Sequence, residues 1–190
     1  EVFEDKVLTG RWKHSATNIT NQELDEIEDS TFIFTVRDPM SWLIGLYKKP
    51  YHILVEKPNT LMEFADIDWR VVRRENLKNN HYKPLELLQE KLVSYLDLME
   101  KLEKRGLEYK IVKFEDFVEN QQVTFEHLKE FLRAPNSRFT ELAKSTKKTS
   151  RNSQYYSHYY SNEVWKQDFP EVNKIKNTIS RDLRAAFGYD

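Results

Sequence analysis

Thr31-Phe32-Ile33-Phe34-Thr35-Val36-Arg37-Asp38-Pro39 is the stretch that decides how this chain is read, together with Ser41-Trp42-Leu43-Ile44-Gly45-Leu46-Tyr47 behind it. Residues 31–36 are β-branched and aromatic, the mark of a buried strand. Asp38 is a natural helix N-cap, and Pro39 suits the first helical position because its missing N–H would be unpaired there anyway. The spacing therefore predicts a strand that stops at Arg37 and a helix that starts at once. A cation at the carboxyl end of a strand, beside a helix N-terminus, is where open α/β sheets bind anions.

Working outward, residues 21–29 are acidic and read as a solvated helix or loop. Residues 40–49 continue the helix behind Asp38-Pro39. The pattern from 50 to 82 is interrupted by Pro50, Pro58, Asn79 and Asn80, with a short helix near 60–66. Pro84 opens an amphipathic helix whose stripe is Leu85, Leu88, Leu92, Leu96, Met99 and Leu102, and Gly106 stops it. A second strand is expected at 109–114 and a helix at 122–133 carrying Phe125, Leu128, Phe131 and Leu132. Val172, Ile175, Ile179, Leu183 and Phe187 keep helical spacing and predict one last helix ending at Gly188. Strands alternating with helices imply a parallel sheet.

Composition bounds the reading. The chain has 190 residues, 39% of them hydrophobic, which fits one domain spanning 1–190. A net charge of −1 offers no bulk attraction for nucleic acid. The absence of cysteine removes disulfide scaffolds, thiolate metal sites and cysteine nucleophiles. No apolar run approaches the ~20 residues of a membrane span, and no signal peptide is visible. A cytoplasmic protein is the expectation, with no metal.

Three segments, in order, resemble the sulfotransferases that use 3′-phosphoadenosine 5′-phosphosulfate (PAPS). Gly10-Arg11-Trp12-Lys13-His14 is similar to the family's Lys/His catalytic segment. The Arg37-Asp38-Pro39 strand and helix, 23 positions after His14, resemble its 3′-phosphate site. Tyr109-Lys110-Ile111-Val112-Lys113-Phe114-Glu115-Asp116-Phe117 resembles its later strand with an aromatic-Glu-Asp ending. The resemblance implies a three-layer α/β sandwich, a central parallel sheet flanked by helices. It also implies transfer of a sulfuryl group from PAPS to a hydroxyl of a carbohydrate or small-molecule acceptor, with 3′,5′-adenosine bisphosphate as product.

By the same resemblance His14 is the base and Lys13 steadies the departing phosphate or the transferring group. In the family these two often stand one residue apart; here they are adjacent, and adjacent side chains on a strand face opposite sides. Arg37 would hold the 3′-phosphate. The family's serine eight positions later is Gly45 here, which leaves Ser41 as the substitute hydroxyl. Phe114 stands where many members carry a tyrosine against the adenine, and Glu115 and Asp116 read as capping groups. Residues 144–151 hold four cations and no acid, and Lys147, Lys148 and Arg151 are placed to close over the 3′-phosphate. Tyr155, Tyr156, Tyr159 and Tyr160 either stack on a sugar or base or pack against the last helix.

One departure stands out. The family's phosphosulfate loop is missing from these residues, and only 13 residues precede His14. Either an N-terminal part of the fold is not in this sequence, or the chain cannot hold PAPS alone. The rivals are a non-catalytic, sulfotransferase-like binding or scaffold protein and, more distantly, a P-loop-type small-molecule kinase with Asp116 as its metal-binding acid.

Overall fold

The structure, a computed structural model, describes residues 15–27, 30–50, 56–143 and 153–189. Its first element, α1 (Asn21–Asp25), is started by Thr20, whose hydroxyl accepts from the Glu23 N–H while the Glu23 carboxylate accepts from the Thr20 N–H at 2.7 Å. This reciprocal pairing satisfies two donors that a helix start leaves open.

The strand β1 (Phe32–Val36) follows, and α2 (Pro39–Lys48) begins three residues after it ends. Asp38 caps α2 as the sequence predicts, accepting from the N–H groups of Met40 at 2.9 Å and Ser41 at 2.8 Å. Beyond it lie α3 (Leu61–Ala65) and two short strands, β2 (Trp69–Arg70) and β3 (His81–Tyr82), which pair antiparallel. The long helix α4 (Pro84–Lys104) follows. It ends where Gly106 adopts φ +68°, a conformation that glycine reaches without strain.

The strand β4 (Tyr109–Lys113) runs parallel to β1, pairing Phe32 with Tyr109 and Val36 with Lys113. The two carboxyl ends therefore lie side by side. Phe114, expected to end the strand, instead starts α5 (Phe114–Glu119). The helix α6 (Gln121–Phe131) comes next, and the described chain continues with α7 (Ser153–Ser161) and α8 (Val164–Asp168).

Two further expectations are corrected. First, β1 is not a fully buried strand: Phe34 and Val36 are buried, while Ile33 is 39% exposed and Thr35 is exposed too. The buried side packs on α4, with the Phe34 and Tyr95 rings 5.4 Å apart. Among the described residues β1 and β4 form a two-stranded sheet, so the fold shown is mixed α/β with one short parallel pair. Second, the last apolar stripe is not one helix. It comprises α9 (Val172–Ile175), a 3₁₀ turn at Lys176–Thr178 and α10 (Arg181–Ala186). Ile179 is extended, and the Ser180 hydroxyl accepts from the Leu183 N–H to start α10 afresh. The break frees carbonyls that Arg184 takes up, its Nη1 donating to Lys176 at 2.8 Å and to Ile179 at 2.7 Å. All five stripe residues are nonetheless buried, which is the half of the periodic signal that held.

Candidate functional site

The site grows from the junction where β1 turns into α2. Strand geometry delivers Arg37 at the sheet edge, and the Asp38 cap forces the helix to begin immediately, so the guanidinium lies back along α2. Arg37 Nε donates to Ser41 Oγ at 2.8 Å, one helical turn on. Its Nη2 donates to the hydroxyl of Tyr160, which arrives on α7. Two rings fix its plane: the guanidinium carbon is 5.1 Å from the Phe114 centroid and 4.8 Å from that of Tyr160. Those rings meet edge to face at 5.1 Å. A guanidinium between aromatic faces is attracted by both and loses little entropy when it donates again. No carboxylate among the described residues lies within ion-pair distance of Arg37.

Gly45 has a structural role here. A Cβ at this position would sit 3.2 Å from Arg37 Nη1, so the missing side chain gives the guanidinium a few tenths of an ångström of room against the helix. Ser41, the substitute hydroxyl, is only 1% exposed and its oxygen is turned to Arg37. It orients the cation rather than facing open space.

Glu115 ties the two strand ends together. Its Oε1 accepts from the Asp38 N–H at 3.1 Å and lies 3.4 Å from Ser41 Oγ, and its Oε2 accepts from the Tyr189 hydroxyl at 2.8 Å. Burial, aided by the Glu115 charge, raises the Asp38 carboxyl above the ordinary aspartate value, against the helix N–H bonds that lower it. Burial and the same glutamate push the Tyr189 phenol well above the ordinary tyrosine range. Burial also raises Tyr160, against the pull of Arg37. A cleft of about 230 Å³ opens beside Asp38, lined also by Trp165, Lys166, Asn173, Lys176 and Tyr189.

The aromatic run at 155–160 forms α7, which lies along α5, and neighbouring tyrosines each take a cation, Tyr160 from Arg37 and Tyr159 from Lys48 Nζ at 2.7 Å. Burial and the Asp168 charge push the Tyr159 phenol up to about 12.

The structure thus brings together Arg37, Ser41 and Phe114, and adds Gly45, Glu115 and Tyr160, whose parts sequence reasoning missed. Aromatic density at 155–160 was the one available signal for Tyr160; nothing in it points to Arg37. His14, Lys13, Lys147, Lys148 and Arg151 lie outside the described residues. Among the described residues no group of three His, Asp or Glu side chains could hold a metal ion, and no helix is long and apolar enough to cross a membrane. Compared with protein-family models, with curated proteins and with solved structures, the chain matches none of them.

Proposed function

We propose that this chain is a sulfotransferase-type domain, part of a three-layer α/β fold, that recognises the 3′-phosphate of PAPS through Arg37. The observation that carries the reading is a guanidinium with no ion-pair partner among the described residues, held at the shared carboxyl edge of two parallel strands, next to the start of a capped helix. Arginine gives a phosphate a two-pronged, permanently charged contact, and this position is the one α/β sheets use for anions.

In this account the acceptor hydroxyl attacks sulfur while the bond to the 5′-phosphate oxygen breaks. His14 takes the hydroxyl proton, and 3′,5′-adenosine bisphosphate leaves with the electron pair. Lys13 offsets charge on the departing phosphate. Lys147, Lys148 and Arg151 close over the 3′-phosphate, and Phe114 offers a ring face near the adenine. The acceptor is a carbohydrate or small-molecule hydroxyl. Most of the catalytic effect in such a reaction is alignment and charge stabilisation.

A non-catalytic relative is the second reading. The observation favouring it is that Arg37 already donates to Ser41 and Tyr160, as a purely structural arginine would. Calorimetry separates the two. 3′,5′-Adenosine bisphosphate is expected to bind more tightly than AMP, which lacks the 3′-phosphate. Arg37→Ala should remove roughly 1.5–3 kcal/mol of that difference, the size of a charge-assisted hydrogen bond. Equal affinities in the unaltered protein would end the reading of Arg37 as the 3′-phosphate residue of a nucleotide site.

A further inference from the structure

Arg37 and Tyr160 leave a specific set of donors unused. Nε is spent on Ser41, and one Nη2 hydrogen on Tyr160. Nη1, lying over Gly45, and the second Nη2 hydrogen donate to nothing among the described residues. The Tyr160 hydroxyl accepts from Arg37, yet its own hydrogen also meets no acceptor among the described residues. Tyr160 is only 9% exposed, and a buried phenol ordinarily donates as well as accepts. A polar group so nearly out of water and half-satisfied carries a cost that a ligand would remove.

The missing partner must be an acceptor, because both neighbouring groups are donors. It must also tolerate, and gain from, a positive charge at hydrogen-bond range. A carbonyl or ether oxygen could take one of these hydrogens; only a group with several oxygens and negative charge takes them together. We infer that Tyr160 is a third donor of an oxyanion site, its hydroxyl and the Arg37 Nη1–Nη2 edge together holding a phosphate monoester. This rests on the reading of Arg37 as the 3′-phosphate residue and adds to it a group from α7. Gly45 and the Phe114 ring complete the site, one by leaving space for the guanidinium and the other by fixing its plane. Burial keeps the Tyr160 phenol protonated, so it remains a donor throughout the ordinary working range of pH.

Tyr160→Phe is the direct test, because it keeps the ring against Arg37 and Phe114 and removes only the hydroxyl. Affinities for 3′,5′-adenosine bisphosphate, AMP and inorganic phosphate are measured on the full chain by calorimetry, with thermal unfolding to confirm an intact fold. Tyr160→Phe is expected to weaken the bisphosphate and inorganic phosphate by about tenfold, the loss of one hydrogen bond to a charged group, while AMP changes little. Unchanged binding would overturn the inference. So would tighter binding, since it would make the tyrosine a competitor that covers Arg37. If the unaltered protein binds none of the three, the oxyanion site fails altogether. If it shows no preference for the bisphosphate, yet both Arg37→Ala and Tyr160→Phe weaken inorganic phosphate, the oxyanion site stands and the nucleotide reading fails.

Discussion

Lys91→Met is expected to lower the free energy of unfolding by about 3–5 kcal/mol, the usual cost of leaving one member of a buried ion pair without the other. Lys91 lies on α4 and pairs with Glu75, and their side chains are 8% and 2% exposed. Burial pulls the Lys91 ammonium below its ordinary value, against the Glu75 charge that supports it. Removing the lysine leaves a carboxylate in an almost waterless place. The loss should be largely recovered in the double variant Glu75→Met/Lys91→Met, because an apolar pair of similar volume avoids desolvating two charges. Urea unfolding of both variants checks this. A single-variant loss below about 1 kcal/mol would mean that water reaches the pair as it reaches surface salt bridges.

That pair has a bearing on function through the chain around it. The Glu75 carbonyl accepts from the Ala16 N–H at 2.9 Å, while the Thr17 N–H donates to Ser94 Oγ at 2.9 Å and the Thr17 hydroxyl to the Ser94 carbonyl at 2.8 Å. Ala16, two residues after His14, is thus held by Glu75 itself, and Thr17 by Ser94 on α4, one turn from Lys91. Loosening the ion pair should therefore disturb the segment proposed to carry the base.

His14→Ala is expected to cut turnover by about 10²–10⁴-fold with nucleotide affinity nearly unchanged, as for loss of a general base that does not bind the cofactor. Only neutral imidazole can take the acceptor proton, so the rate of the unaltered enzyme should rise through roughly pH 6–7, and the variant should lose that rise. Formation of 3′,5′-adenosine bisphosphate from PAPS over a panel of hydroxyl acceptors measures both. A variant of near-normal rate would remove histidine from the mechanism. If Lys13→Ala proves the more damaging change, the adjacent pair presents lysine to the pocket instead.

The β1–α2 junction was readable because its determinants are local. A β-branched run, an Asp cap and a Pro at the first helical position act within a few residues of one another, and the same holds for Pro84 and Gly106 around α4. The end of the chain was misread for an equally local reason. Ser180 can cap a helix, but an unbroken apolar period overshadowed it, and period alone does not distinguish one helix from two that share a buried face. The Glu75–Lys91 pair was invisible because charged residues are ordinarily solvated, and only tertiary packing buries them. Within the site, Arg37 could be named from its place between the strand and the helix cap, and Ser41 only from the resemblance. Tyr160 could not be paired with Arg37, since 123 positions separate them and no short-range rule connects α7 to the end of β1. Gly45 read as a lost hydroxyl until the guanidinium was seen lying against it.

The central claim is that the β1–α2 edge holds a 3′-phosphorylated nucleotide, and amide and side-chain NMR shifts during titration test it most directly. Adding 3′,5′-adenosine bisphosphate should move the signals of Arg37, Gly45, Phe114 and Tyr160 together in a saturable way, while AMP moves them far less. Shifts confined to the cleft at Trp165, Asn173 and Tyr189, or no saturable shift at Arg37, would contradict it.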